Sequence, residues 1–454
     1  MSVSAWPAPY AFAPVNARIR VPGSKSETNR AYVLAALSDA TTTITGALES
    51  RDTALMRAGL SALGVRFSSP SFSAAERPSL SQLVTPPATF TCVPGGIDVG
   101  LAGTVLRFLP ALAALAPGLT RFYGDARAAD RPIAPLLQAL RSLGVTITND
   151  RLPFTLQAPN KLDSRAVLLD ASASSQFVSA LLLAGARYPH GIEIALTGSQ
   201  PPSRPHIDMT INMLRERKVS LTASATKFSV SPGPISALNQ LIAPDLTNAA
   251  AFLAAGVLTA GRVEVLDWPE TTNQPGDLIR VIISRFGARV ERTSNGVVAL
   301  PDRPLTACDI DLSAASELTP VVAALAAFSR GTTRISGIAH IRGHETDRIA
   351  AIVNTLRSVG ITANELHDGL AITGATKRLT GTMLATYADH RMAHLAALLG
   401  LKVPGVLLDD VATTAKTLPQ FPEIWSAMVA GTTGELAGDN KRRQHTSKDQ
   451  LDES

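Results

Sequence analysis

Two cysteines, Cys92 and Cys308, in 454 residues leave no disulfide framework and no thiolate metal cluster to build on; both are expected as small buried hydrophobes. Aromatic residues are 5% of the chain, too few for the stacking surface of a single-strand nucleic-acid binder. No apolar stretch approaches the roughly 18 residues a bilayer span requires. Charge is sparse as well, at 17% against a usual value of about 25%, so basic side chains in apolar settings are less easily dismissed as solubilisers. Lys and Arg exceed Asp and Glu by 42 to 37, a formal charge of +5, with a pI near 9.3. Part of that excess sits in Lys441, Arg442, Arg443 and Lys448, and no long basic stripe points to nucleic acid. The first residues, MSVSAWPAPYAFAPVNAR, lack a basic region before an apolar core. No signal peptide is expected, and the cytoplasm follows.

What is present is a repeat. A unit recurs six times, each copy about 70–75 residues after the last. Each has a polar lead-in, an Ala/Leu-rich helical run, a Gly-containing turn and a strand-like stretch. The lead-ins are SETNR (26–30), AGTVLR (102–107), SSQF (174–177), DLTN (245–248), SELTP (316–320) and DHRM (389–392). The runs after them are AYVLAAL, FLPALAAL, VSALLLAG, AAAFLAAG, VVAALAAF and AHLAALLG. A second echo, LSALGV, LRSLGV, LRERKV, ISRFGA and LRSVGI, predicts helices that end at glycine and feed a strand. The fold class is therefore α/β, with two similar lobes of three β/α units each. The Ser/Pro-rich stretch 68–87 is expected as an excursion, and residues 431–454, polar and aperiodic, as a disordered tail.

The polar residues recur at one place in the unit, the start of an apolar helix. Helix starts carry unpaired N–H groups and the positive end of the dipole, so gathering several into one cleft makes an anion site. Near these starts lie Lys25, Arg30, Arg131, Arg348, Arg391 and Lys416. The expected ligand is a strongly anionic small molecule, or two of them. Arg107, inside the second helix, is expected to be structural, and Arg51 and Asp52 to serve as turn or cap residues. Asp389 and His390 are expected to orient Arg391, and Trp268, Phe421 and Trp425 to pack in the core.

The stretches PGSKSETNR, LAGTVLR, GDARAADRP, SSQFVSALL, SRPHIDMT, ELTPVVAALAAF, RGHETDR, YADHRMAH and AKTLPQFP together resemble the enolpyruvyl transferases, and within them the EPSP synthase family. The ELTP and RGHETDR forms look like its actinobacterial branch. The resemblance runs from about residue 21 to about residue 430. It implies an inside-out α/β barrel, with lobe one at 1–22 plus 243–430 and lobe two at 23–242. It also implies transfer of enolpyruvate from phosphoenolpyruvate to the 5-hydroxyl of shikimate 3-phosphate with release of phosphate. No cofactor, metal, nucleic acid or membrane is implied, and the chain is expected to act as a monomer.

By motif position, Lys25, Ser26, Arg30, Ser174, Ser175, Gln176, Ser203, Glu317 and His344 would hold shikimate 3-phosphate. Lys25, Gly103, Arg131, Gln176, Arg348, Arg391 and Lys416 would hold phosphoenolpyruvate. Glu317 would take the hydroxyl proton, and Glu345 would donate one to the methylene carbon, with Lys25 as rival donor. Burial would raise the pKa of Glu345 and neighbouring cations would lower it. The chain departs from the commoner pattern at Glu317 (for Asp), His344 (for Lys), His340 (for Asn), His206 (for Tyr) and Leu101 (for Asn). If His344 meets substrate, it could titrate near pH ~6.5. A UDP-N-acetylglucosamine enolpyruvyl transferase is the nearest alternative, but its usual loop cysteine is missing from GDARAADRP. An RNA 3′-phosphate cyclase-like protein is a more distant one.

Overall fold

Six alanine- and leucine-rich helices form the interior: α1 (Lys25–Leu37), α2 (Gly103–Ala113), α3 (Ser175–Gly185), α4 (Leu246–Leu258), α5 (Thr319–Ala327) and α6 (His390–Gly400). The computed structural model describes residues 5–73, 79–431 and 435–437. A helix with no polar face must be covered on all sides, and α4 is buried at every position. The amphipathic echo segments form outer helices, among them Arg51–Ala62, Ala134–Ser142, Arg204–Glu216 and Arg348–Ser358, each burying one stripe.

Among the described residues six small sheets surround this interior. In lobe two they run, in order, Gln240–Leu241, Thr42–Thr45, Ser79–Thr85, Arg66–Phe67; then Ile97–Asp98, Gly118–Tyr123, Phe154–Ala158, Thr146–Ile147; then Ala166–Asp170, Ile192–Thr197, Lys227–Val230, Leu221–Ala223. The first pair in each is parallel and the rest antiparallel. Lobe one repeats the pattern, with Asn16–Arg20 parallel to Arg262–Leu266 and Ile310–Asp311 parallel to Thr332–Ser336. Its sixth sheet is reduced to Trp6–Pro7, Leu407–Leu408 and Met383–Leu384. Buried apolar residues form two clusters, one spanning Ala31 to Ile242, the other combining Ala8 to Val21 with Leu246 to Met428. Trp268, Phe421 and Trp425 pack in the second, while Cys92 and Cys308 are only part-buried at the edge of one cluster each.

Two expectations need correction. Ser79–Thr85, inside the expected excursion, is an interior strand of the first sheet. The serines and prolines conceal an alternation in which Gln82 and Val84 face inward. Gln82 is tolerated there because Tyr32 and Arg57 donate to its carbonyl and its amide donates to Ser68. In the expected tail, the backbone of Glu435–Ala437 pairs in parallel with Arg18–Arg20. Asn16–Arg20 is paired with Arg262–Leu266 on its other side, so Glu435–Ala437 forms the edge of that sheet. The rest of that tail lies outside the described residues.

The chain crosses between lobes twice, and the crossings lie side by side. Ser24 N–H donates to Ala243 O at 2.8 Å and Asp245 N–H to Pro22 O at 2.9 Å. Gly23 is needed there because a Cβ would stand 2.1 Å from Gly46 O. Beside the crossing, Gln240 donates from Nε2 to Glu27 of α1 at 3.1 Å and accepts from Arg217 at 2.6 Å. Burial pushes Glu27 from 4.5 up to about 7, with the Gln240 and Ala243 hydrogen bonds opposing. A carboxyl raised in the folded state is favourable only while protonated, so stability is lost as pH rises from 4.5 through 7. Glu27→Gln keeps the acceptor, and is expected to stabilise by about 1 kcal/mol at pH 5 and about 3 kcal/mol at pH 8. Urea denaturation at both pH values checks this, and equal effects would contradict it.

Candidate active site

The N-termini of α1, α2, α3 and α6 converge on a cavity between the lobes, lined there by Lys25 and Ser26, Gly103 and Thr104, Ser175 and Gln176, and His390 and Arg391. With Glu317 of SELTP also in the lining, five of the six lead-ins thus meet. Ser24, Ser174, Asp245 and Asp389 cap their helices through side-chain oxygens. Six cations line the cavity: Lys25, Arg107 and Arg131 from residues 23–242, and Arg348, Arg391 and Lys416 from residues 243–430. Two carboxylates, Glu317 and Glu345, face them.

Of the residues expected to bind or react, Lys25, Ser26, Gly103, Arg131, Ser174, Ser175, Gln176, Ser203, Glu317, His344, Glu345, Arg348, Arg391 and Lys416 all line this one cavity. Arg30 does not. Its guanidinium is buried over Phe108 and donates to Thr210 Oγ1 at 2.7 Å, Ser26 O at 2.9 Å, His206 O at 3.1 Å and Ser179 Oγ at 3.3 Å. It therefore braces the backbone beneath the site. Arg107, expected to be structural, does hold the backbone at Pro132 O at 2.8 Å and Gly103 O at 3.3 Å, and it also reaches the lining. Gly103 is where these charges meet the chain. A Cβ there would stand 2.6 Å from Arg107 Nη1 and 2.9 Å from Arg131 Nη1.

Crowded cations need anions behind them. Asp52 does not serve as a cap; it accepts from Lys25 Nζ at 3.3 Å. Arg51 pairs with Asp125. Asp389 Oδ2 accepts from Arg348 Nε and Nη2 at 2.9 and 2.7 Å, and its Oδ1 from Arg391 N–H at 2.9 Å. It therefore orients Arg348 as well as the helix start. Tyr387 and Ala388, just before it, both adopt left-handed backbone, a strain that clusters at functional sites. Burial and the nearby Arg391, Lys25 and Lys416 push His390 far down, so its imidazole is neutral.

Glu345 accepts from Lys416 Nζ at 2.5 Å and Arg348 Nη2 at 3.0 Å. Burial raises its pKa, but Lys416, Arg131 and Arg348 outweigh burial and hold it well below the carboxylate range. Glu317 is likewise held ionised: burial opposes, but the His206 hydrogen bond and Arg391 prevail. Its Oε2 is buried without a protein partner among the described residues. Burial pulls Lys25 down, against Asp52. Burial and Arg348 push His344 well below 6.5, which removes the titration near neutrality its residue type suggested.

Sequence reasoning gave His206 little weight, yet its Nε2 lies 3.1 Å from Glu317 Oε1 across the cleft. The sequence signalled it only through its place in SRPHIDMT, one residue after Pro205 near the start of the helix Arg204–Glu216, and through its departure from the tyrosine of the commoner family pattern. Among the described residues no group of three or more His, Cys, Asp or Glu side chains could hold a metal ion.

Comparison with known proteins agrees with this geometry. The profile of the family described as EPSP synthase (3-phosphoshikimate 1-carboxyvinyltransferase) matches residues 9–425. A Mycobacterium ulcerans (strain Agy99) protein named 3-phosphoshikimate 1-carboxyvinyltransferase is 46% identical over 440 residues, 95% of this chain and 100% of that protein. Two solved structures of EPSP synthase from Acinetobacter baumannii match with TM-scores of 0.75 and 0.74 at 23% and 22% identity. They cover 95% and 93% of this chain and 98% of their own, a likeness of fold.

Because the pKa of Glu345 is depressed, its stabilising contribution is present above 4.5 and lost as pH falls below it. Glu345→Gln leaves Lys416 without its partner and should cost about 3–5 kcal/mol at pH 7. The difference from wild type should shrink at pH 4. Denaturation midpoints at the two pH values decide, and a pH-independent difference would contradict this assignment.

Proposed function

The chain belongs to the EPSP synthase family, and on that premise we propose that its cavity transfers the enolpyruvyl group of phosphoenolpyruvate to the 5-hydroxyl of shikimate 3-phosphate, releasing phosphate, as a step of the shikimate pathway. Each substrate carries a phosphate and a carboxylate. The observation that supports this reading most is that three cations from each lobe meet around one cavity, a charge that two such anions together would neutralise.

In this reading Arg131, Arg348, Arg391 and Lys416, with the backbone at Gly103 and the amide of Gln176, hold phosphoenolpyruvate. Ser26, Ser174, Ser175, Gln176, Ser203, Glu317 and His344 hold shikimate 3-phosphate, and Lys25 touches both. Glu317 Oε2 takes the proton as the 5-oxygen bonds to C2 of phosphoenolpyruvate, while C3 gains a proton to become methyl. Loss of a methyl proton and of phosphate then restores the double bond. The exchange is redox-neutral and asks for no cofactor. Glu345 becomes the acid for C3 once bound phosphate takes up the charge of Lys416 and Arg348 that now holds it ionised. Both lobes come from one chain, so a monomer suffices, and the reading carries a cytoplasmic location with it. Among the described residues no helix is long and apolar enough to cross a membrane.

Mixing purified protein with both substrates should release phosphate, and omitting either should stop it. Release with UDP-N-acetylglucosamine in place of shikimate 3-phosphate would overturn the reading. Gly103→Ala should push the Arg107 and Arg131 guanidiniums aside, raising KM for phosphoenolpyruvate about tenfold or more with a smaller loss in kcat. Steady-state kinetics check this, and an unchanged KM would contradict the placing of phosphoenolpyruvate there.

A further inference from the structure

The two lobes touch above the cavity at two neighbouring points. Ser203, at left-handed φ 52°, donates its N–H to Ser313 O at 3.0 Å. One turn on, His206 Nε2 meets Glu317 Oε1 at 3.1 Å. The backbone of His206 is fixed from below, where its carbonyl accepts from Arg30 at 3.1 Å and Thr210 at 3.1 Å. Glu317 stands on a short 3-10 turn, Ser316–Leu318, ahead of α5. Its side chain is long enough to swing, and nothing on its own turn holds the carboxylate. The one hydrogen bond recorded for Glu317's side chain among the described residues comes from the opposite lobe.

We propose that His206 is a positioning residue for the base: from lobe two it clamps one oxygen of Glu317, so that the other faces the acceptor hydroxyl only when the lobes have met. The proposal rests on the function given above. Among the described residues neither Glu317 Oε2 nor His206 Nδ1 has a protein partner, though both are buried. The carboxylate thus has one oxygen committed and one open, the arrangement a base needs to accept a proton along a defined direction. The other charged or titratable groups facing Glu317 are Arg391 on α6, His344 and His340 on the turn Ala339–Gly343 and its end, and Arg348 on the helix Arg348–Ser358. Among the described residues none of these four donates a hydrogen bond to Glu317: His340 turns to Ser316 Oγ at 2.9 Å, Arg348 to Asp389, and His344 to Arg348. Orientation is therefore left to His206. Because clamp and base sit on different lobes, the base is set at the moment the site closes, when its proton acceptor would otherwise be most exposed to misalignment.

The test is His206→Phe and His206→Gln, each in wild-type and Glu317→Gln backgrounds, with kcat and the Kd for shikimate 3-phosphate measured separately. Losing a charge-assisted hydrogen bond at the reacting group predicts a kcat about 10–100-fold lower for His206→Phe, with Kd changed less than about threefold. His206→Gln, which retains a donor, should recover kcat to within about fivefold of wild type. In the Glu317→Gln background, adding His206→Phe should cost less than about threefold, because both changes disable one step. A kcat for His206→Phe within about twofold of wild type would overturn the proposal, as would the same loss in both backgrounds. Wild-type turnover in Glu317→Gln alone would instead remove Glu317 as the base, and failure of wild-type protein to release phosphate would remove the function itself.

Discussion

Mutual repulsion among cations in a confined space is the constraint around which the rest of this molecule is arranged. Six basic side chains line one cavity, and taking them from water costs several kcal/mol each unless anions or dipoles answer them. Asp52 and Asp389 answer from behind, and Glu345 from within. Lys25, Arg348 and Lys416 are thereby held in ion pairs, while among the described residues Arg107, Arg131 and Arg391 face the cavity with no carboxylate in salt-bridge contact. Arg391 is the clearest case: its backbone is capped by Asp389, and its guanidinium has no hydrogen-bond partner among the described residues. Burial and Arg348 accordingly weaken its hold on its proton.

The architecture makes such crowding possible. Helices with no polar face go to the interior, the small sheets go outside, and the polar lead-ins come together where helix starts meet. Neither lobe alone holds more than three of the six cations. The site exists only where they meet, and the paired crossings at Gly23 and Pro244 join the lobes without filling the cleft. Positive charge divided between two bodies gives an anionic ligand that meets both sets of cations a direct means of drawing them together.

Much of this was legible in the sequence because repetition exposes exceptions. A Ser, Asp or Lys recurring ahead of an apolar run is visible against six copies, and the inner helices, their caps and the cations near the helix starts followed from it, while Ser203, His344 and the roles of Glu317 and Glu345 came from the family resemblance. What was not legible depended on where long side chains turn. Arg30 and Arg107 both lie within the first turns of central helices. One turns to Thr210 and the His206 carbonyl, the other to the cavity beside Gly103, and no spacing rule separates them. Asp52 was obscured for a related reason, since an acidic residue at a helix start looks like a cap until its partner on α1, Lys25, is known. The strand Ser79–Thr85 was hidden by a buried glutamine. His206 gains meaning only from Glu317, 111 residues away.

The central claim is that the two halves of the chain share one pocket for two anions. Its most direct test is a crystal structure with shikimate 3-phosphate and an unreactive phosphoenolpyruvate analogue bound together. The account predicts both ligands between the lobes, with the analogue's phosphate and carboxylate within hydrogen-bonding distance of cations from each lobe, Arg131 among them on one side and Arg348 and Arg391 on the other. Either ligand bound wholly on one lobe, with the facing cations left in solvent, would contradict it.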